Sequence, residues 1–123
     1  MITAEEILMG RDEQYPLDEQ QKANLLDLLP RLNFLRARYG KPMVVSSGYR
    51  PLPINKKVGG AKNSAHVACQ AVDFFDHTGE LAQWCKEHLD LLNQLGLYME
   101  DPRYTVGWLH LQARPTRRNP FAP

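Results

Sequence analysis

Two histidines and an aspartate, His66, Asp73 and His110, are residue types from which proteins build zinc sites. His66 and Asp73 are close enough in sequence for a turn entering a strand to bring both to one ion, whereas His110 must join them through tertiary structure. This ligand set leaves one zinc position open, where bound water becomes a nucleophile near neutral pH. Spacing alone does not separate a metal site from ordinary structural histidines. If the three side chains converge, the expected chemistry is hydrolysis.

Helices are predicted at residues 3–10, 18–40 and 78–96, because each segment opens with a capping residue and closes at a glycine. Pro30 lies inside the second helix and is expected to kink it, because proline removes a backbone hydrogen bond and crowds the preceding turn. The second helix carries one apolar stripe, formed by Leu25, Leu28, Leu29, Leu32 and Leu35.

Residues 48–64 are rich in glycine, proline and asparagine and are predicted to form a loop. Trp108 is expected on the strand face opposite His110, in the core. Helices followed by a mixed set of strands predict an α+β fold, a small antiparallel sheet packed against helices. The strands are predicted at residues 43–47, 71–75, 97–100 and 106–112, the last two forming a β-hairpin.

Length and composition indicate one soluble globular domain over residues 1–123, expected to be a monomer. The net charge of +1 gives no strong electrostatic case for nucleic acid or a membrane as partner. Residues 114–118 hold three arginines, expected to be a solvated basic end rather than a contact for an anionic polymer. Cys69 and Cys85 are expected to be buried free thiols. The start of the chain lacks a signal-peptide pattern, which predicts synthesis in the cytoplasm.

Three motifs follow one another along the chain: Ser47-Gly48-Tyr49-Arg50, then His66 and Asp73 with six residues between them, then Trp108-Leu109-His110. Together they resemble the D-alanyl-D-alanine metallopeptidases. These enzymes belong to the superfamily of lysostaphin, the D,D-peptidases and the sonic hedgehog amino-terminal domain. The resemblance extends from about Leu25 to Gln112 and is strongest toward compact phage and bacterial members that act on peptidoglycan cross-links.

The resemblance implies a hedgehog- and D,D-peptidase-like fold in which His66, Asp73 and His110 bind zinc. It also implies that Arg50 binds the substrate, because its fork of donors suits a peptide carboxylate or the oxygen of a polarised carbonyl. Ser64 is expected to face the substrate, with a serine that caps a turn as the alternative.

Two positions depart from the family pattern. Many relatives carry a glutamate, the general base, three residues before the last zinc histidine, where this chain has Gly107. Glu100 or Asp101 on the partner strand is expected to replace it, and the turn length decides which shares the face of His110. We favour Glu100, because Asp101 precedes a proline and suits the turn; a solvent-facing glutamate is the alternative. Cys69 replaces a usual glycine and is not expected to bind the metal.

The resemblance therefore predicts a zinc-dependent D,D-carboxypeptidase or endopeptidase that cleaves peptidoglycan stem peptides. A catalytic domain without an export signal suits a phage lysis protein or a virion-associated enzyme, which would act on the cell wall once released. Gly107 leaves two alternatives open: a module that binds zinc and wall peptide without catalysis, or a phage structural protein with a vestigial site.

Overall fold

The computed structural model describes residues 1–61 and 63–116. Helices pack on a four-stranded antiparallel sheet of order β1-β2-β4-β3, which confirms the predicted α+β class. A short 3-10 helix at Pro102–Tyr104 precedes the last strand. The other elements are α1 (Ala4–Leu8), α2 (Glu19–Tyr39), β1 (Val45–Ser47), α3 (Leu52–Lys57), β2 (Ala71–Phe75), α4 (Glu80–Glu87), α5 (Leu89–Leu95), β3 (Tyr98–Met99) and β4 (Trp108–Gln112).

The first two helices begin at the capping boxes that the sequence predicts. Thr3 exchanges hydrogen bonds with Glu6 at the start of α1, and Asp18 does so with Gln21 at the start of α2. Gly40 ends α2 in the left-handed conformation, with φ of 77°. The helix is continuous through Pro30 from Glu19 to Tyr39, and the expected kink stays a prediction.

The predicted helix at residues 78–96 is divided at His88 into α4 and α5. The His88 ring stacks on Trp84 at a centroid distance of 3.9 Å, and its Nδ1 lies 2.7 Å from the Trp84 carbonyl oxygen. That carbonyl would accept the His88 backbone N–H in a continuous helix. Instead the His88 backbone N–H donates to the Cys85 carbonyl oxygen, and the chain turns there. Periodicity missed this break because a side chain, not a glycine or proline, causes it.

The segment at residues 48–64 is not all loop, because α3 occupies Leu52–Lys57. Pro51 caps this helix and Pro53 lies in its first turn, where the missing proline N–H removes no intrahelical hydrogen bond. Treating the prolines only as loop signals was therefore wrong here.

The register of the central strands separates the sheet into two faces. Asp73 on β2 is opposite His110 on β4, and Phe75 is opposite Trp108. One face meets the helices through a core of fully buried side chains. The expectation that Trp108 points into this core is wrong: residues two apart on a strand share a face, so Trp108 lies half-buried beside His110. The core side chains include Leu28, Leu32, Leu35, Val72, Phe74, Leu92, Leu109 and Leu111.

A bulge in β1 brings Ser47, where the Ser47-Gly48-Tyr49-Arg50 motif begins, to the sheet face that carries Asp73. Val45 pairs with Phe74 and Ser47 with Asp73, so β1 has one extra residue between them. Gly48 follows at a close approach to α1, because a Cβ there would lie 2.1 Å from the Ile7 carbonyl oxygen.

Among the residues described, no helix is both long and apolar enough to cross a bilayer.

The α2 stripe offers a matched test of core packing. Leu32 is fully buried, whereas Leu26 on the same helix is 70% exposed. Leu32→Ala is expected to lower the free energy of unfolding by about 2–5 kcal/mol, because it leaves a cavity under the sheet. Leu26→Ala should change it by less than about 0.5 kcal/mol. Denaturant unfolding of both variants measures the difference, and equal effects would contradict this packing.

Candidate metal centre

The side chains of His66, Asp73 and His110 converge on the sheet face away from the helices. One ligand atom from each lies within 4.8 Å of the others. All three are buried, with exposed fractions of 4%, 5% and 8% in chain order. The predicted convergence is therefore confirmed, and metal binding itself stays a prediction at this point.

Different kinds of structure position the three side chains. Asp73 and His110 are direct partners on neighbouring strands, so the sheet register fixes their separation. His66 lies in the turn before β2, where its N–H donates to Ser64 Oγ and its carbonyl accepts from the Arg50 N–H. The turn is thereby tied to the segment that follows β1.

Each imidazole directs one nitrogen to Asp73 and the other to an oxygen acceptor. His66 Nδ1 lies 2.9 Å from the Gly48 carbonyl oxygen, and His66 Nε2 lies 3.3 Å from Asp73 Oδ2. His110 Nδ1 is 2.8 Å from Asp73 Oδ1, and its Nε2 is 2.7 Å from Gln112 Oε1. Such outer partners commonly orient metal-binding histidines.

His66 Nε2 is the atom that argues most directly for a metal. It is buried and makes no hydrogen bond with any described residue, although Asp73 Oδ2 lies 3.3 Å away. A buried polar atom without a partner costs free energy, so such atoms in native structures commonly indicate a ligand or ion. The donor set also fits: two nitrogens and one carboxylate oxygen bind zinc, with ligand atoms about 3.3 Å apart in a tetrahedral site with bonds of about 2.0–2.1 Å. Small shifts of the present side chains would satisfy that geometry.

The charges of the cluster reinforce one another. Burial alone would raise the pKa of Asp73, but the hydrogen bond with His110 and the nearby imidazole of His66 outweigh it and lower that pKa. Burial likewise opposes the charged form of His110, but the hydrogen bond and negative charge of Asp73 raise its pKa overall. The buried carboxylate therefore stays ionised, as a metal ligand must be.

Cys69 does not compete for this position. Its side chain is fully buried, and burial raises the pKa of its thiol to about 12. Among the described residues, the ligand atoms that meet at the cluster do not include its sulfur. Cys69 also has a left-handed backbone, with φ of 59°, which explains why glycine suits this turn in relatives.

The two proposed carboxylates have separate environments. Glu100 is half-buried and opposite His110, with its N–H donating to the His110 carbonyl at 3.2 Å, so it lies on the face of the cluster. The Asp101 carboxylate accepts hydrogen bonds from the Arg103 backbone and guanidinium, which lower its pKa. The register therefore favours Glu100, and Asp101 shapes the turn as its position before Pro102 suggests.

Gly107 has a conformation that explains the missing family glutamate. Its φ is +90°, a region that side-chain-bearing residues rarely adopt, and its carbonyl accepts the Asp76 N–H. A glutamate here would strain the turn into β4.

Arg50 lies at the edge of the cluster. Burial lowers the pKa of its guanidinium, and the nearby negative charge of Asp73 opposes this with a smaller effect. Its Nη1 donates to Asn55 Oδ1 at 3.1 Å, and the Asn55 amide donates to the Ala61 carbonyl. Asn55 is itself 3% exposed. Gly60 allows this arrangement, because a Cβ there would lie 2.1 Å from Asn55 Oδ1 and 2.9 Å from Arg50 Nη1.

Other predicted residues have mixed outcomes. Ser64 caps the His66 turn, as its alternative predicted, and also lines a cavity of about 230 Å³ between α2 and that turn. Arg114 is not simply solvated, because its guanidinium donates to the Asn63 carbonyl and to Gln70 Oε1. The other two arginines of the tail, at residues 117 and 118, lie outside the described residues.

The sequence prediction did not include Gln112 or Asn55 in the site, nor the aromatic pair that Phe75 forms with Trp108 on the same face. Gln112 and Trp108 are each two residues from His110 on β4, so strand alternation alone could have placed them on its face. Phe75 is half-exposed at the end of β2 and continues the cluster face with Trp108. Asn55 had no usable signal, because its contact with Arg50 depends on the unpredicted helix α3.

Comparison with known proteins identifies a family. The model of the Peptidase M15 family matches residues 2–105, which include His66 and Asp73 but end before His110. No match was found among curated proteins or among solved structures. The placement of His110 in the cluster thus depends on the structure.

The cluster is expected to bind one zinc ion per chain. At a zinc concentration a hundred times Kd, binding should raise the free energy of unfolding by about 2.7 kcal/mol. His66→Ala and Asp73→Ala remove ligands and should abolish both effects, whereas His88→Ala, which alters a histidine stacked on Trp84, should not. Elemental analysis and calorimetric titration measure the binding. Zinc content unaffected by His66→Ala would contradict the assignment.

Proposed function

Because the chain belongs to the Peptidase M15 family, we propose that it is a zinc-dependent peptidase that cleaves peptidoglycan stem peptides, as a D,D-carboxypeptidase or an endopeptidase. The family makes the chain a peptidase of a metal-dependent kind, and the buried cluster is its candidate metal site. The observation that carries the proposal is the convergence of His66, Asp73 and His110 with one imidazole nitrogen left without a hydrogen bond. The choice of zinc as the metal and of the wall peptide as the substrate rests on the three motifs that resemble the D-alanyl-D-alanine metallopeptidases.

Zinc bound by these three residues would polarise the substrate carbonyl and would lower the pKa of a bound water to about 7. Glu100 would take the proton from that water through its carboxylate and give it to the leaving amine. Its support is the register that sets it across from His110 and the φ of +90° at Gly107, which disfavours a side chain there. His66 and His110 keep their orientation through Gly48 and Gln112.

Arg50 would bind the substrate carboxylate or stabilise the oxyanion of the attacked carbonyl. Support comes from its half-buried position beside Asp73, where fewer water molecules compete for its donors. Asn55 accepts one of its N–H groups and thereby sets the direction of the guanidinium. Ser64 would contribute at the rim, next to the cavity along α2.

A module that binds zinc and wall peptide without cleaving them is the second candidate. The observation that favours it is Gly107, because the general base of many relatives is missing at that position. Phage origin, action on the cell wall after release, and a monomeric state stay predictions.

Digestion of purified peptidoglycan with the zinc-loaded protein, followed by mass analysis, tests the reaction. Release of single D-alanine would identify a carboxypeptidase, and separated stem peptides an endopeptidase. Glu100→Gln should lower kcat by about 10²–10⁴-fold, because it removes the proton acceptor, and should leave zinc content unchanged. Asp101→Asn, the same chemical change at the next residue, should retain kcat within a few-fold, because its carboxylate faces Arg103.

Intact peptidoglycan after prolonged digestion, with zinc bound and all stem linkages present, would favour the binding module. Cleavage that Glu100→Gln does not slow would leave a peptidase but contradict Glu100 as its base.

The Arg50 arrangement can be tested without changing Arg50. Gly60→Ala should push Asn55 and Arg50 apart and lower kcat/KM about tenfold to a hundredfold, because the donors are misplaced relative to the substrate. Gly59→Ala is the matched control: a Cβ there meets nothing within 4 Å and adds only the backbone strain of its φ of +71°. Steady-state kinetics and zinc content of both variants give the comparison. Equal losses of kcat/KM would indicate that loop strain alone is responsible.

A further inference from the structure

Gln112 connects the cluster to the chain that follows β4. It lies two residues beyond His110 on the same face and is 8% exposed. Its Oε1 is 2.7 Å from His110 Nε2, and its Nε2 donates to the carbonyl oxygens of Arg114 at 2.9 Å and Pro115 at 3.0 Å. Both ends of this buried amide therefore have partners.

The partners determine which way the amide points. A carbonyl oxygen only accepts hydrogen bonds, so the two carbonyls after β4 require the NH₂ group of Gln112 to face them. Its oxygen must then face His110. Because an amide oxygen cannot donate, the proton between them belongs to His110 Nε2.

That proton position decides which nitrogen of His110 is available. A histidine that binds a metal does so as a neutral imidazole, which carries one N–H. With that proton held on Nε2, the lone pair is on Nδ1, the nitrogen that contacts Asp73. His66 is held in the opposite form, because the Gly48 carbonyl requires a proton on Nδ1 and leaves Nε2 with the lone pair. The two imidazoles thus present different nitrogens toward one centre.

We propose that Gln112 is a positioning residue that holds His110 in the tautomer and orientation needed to bind the metal through Nδ1. The proposal rests on the metal site of the proposed function and adds a residue beyond position 105, where the family match ends. The segment at Arg114 and Pro115 acts through Gln112, because its carbonyls fix the amide.

A merely structural role for Gln112 makes different predictions, because tying Arg114 and Pro115 to the sheet needs its donors, not its oxygen. Gln112→Glu keeps an acceptor for His110 and loses both donors. Gln112→Met has a similar length and loses both functions. Gln70→Met is the control, because Gln70 also contacts Arg114 but has no hydrogen bond to His110 among those described.

Three measurements separate the two roles: the zinc dissociation constant by competition with a chromophoric chelator, the visible spectrum of the cobalt-loaded protein, and the melting temperature of the metal-free protein. Gln112→Met should weaken zinc binding about 10–100-fold and alter the cobalt spectrum. Gln112→Glu should keep the zinc affinity within a few-fold of that of the unsubstituted protein. Its melting temperature should fall, as that of Gln112→Met does. Gln70→Met should keep the zinc affinity and the spectrum of the unsubstituted protein. If Gln112→Met does not fold, Gln112→Asn, whose shorter side chain withdraws the oxygen from His110, replaces it with the same expectations.

Unchanged zinc affinity and cobalt spectrum in Gln112→Met would overturn the proposal. An equal loss of affinity in Gln112→Glu and Gln112→Met would also overturn it, in favour of the structural role. A failure of the unsubstituted protein to bind zinc would overturn the proposed function together with this proposal. Zinc binding without cleavage of peptidoglycan contradicts only the catalytic part of the proposed function and leaves the role of Gln112 as tested by the variants.

Discussion

The carboxylate of Asp73, buried between two imidazoles, is the interaction on which the rest of the site depends. An ionised carboxylate removed from water is costly unless it is paired, and here His110 and His66 are its partners. The antiparallel register supplies the first pairing, because Asp73 and His110 are directly opposite on β2 and β4. A shift of one residue in that register would turn Asp73 into the core and separate it from His110. The apolar residues that alternate with these two therefore maintain the cluster of His66, Asp73 and His110 as well as the fold.

The turn that carries His66 has no such ladder and is held by side chains instead. Gln21 and Asn24 on α2 donate to the carbonyls of Val67 and Ala68, both at 2.8 Å. Arg114, after β4, donates to the carbonyl of Asn63 on the other side. These hydrogen bonds hold the turn that carries His66 next to two strand residues. Arg114 and the polar face of α2 thus contribute to the cluster from outside it.

Local patterns predicted much of the scaffold. The capping boxes of α1 and α2 and the glycine that ends α2 involve residues a few positions apart, so their hydrogen bonds form within one turn. The strand at Ala71–Phe75 and the pairing of β3 with β4 also agree with the sequence prediction. The break at His88 and the helix α3 did not follow from pattern, because the first depends on a ring stacked on Trp84 and the second on prolines in permitted positions. The error at Trp108 was avoidable, since strand alternation already placed it beside His110.

The sequence by itself determined the types of the candidate ligands, their order along the chain and the motifs that resemble the family, because these are properties of residue identity and spacing. It also limited the candidates for a general base to two adjacent carboxylates. Only the tertiary structure decided that Glu100 shares the face of His110, that Asn55 directs Arg50 and that Gln112 directs His110. Each of these depends on strand register or on contacts between distant segments. Such contacts form through the packing of the whole chain and leave no periodic signal in any one part of it.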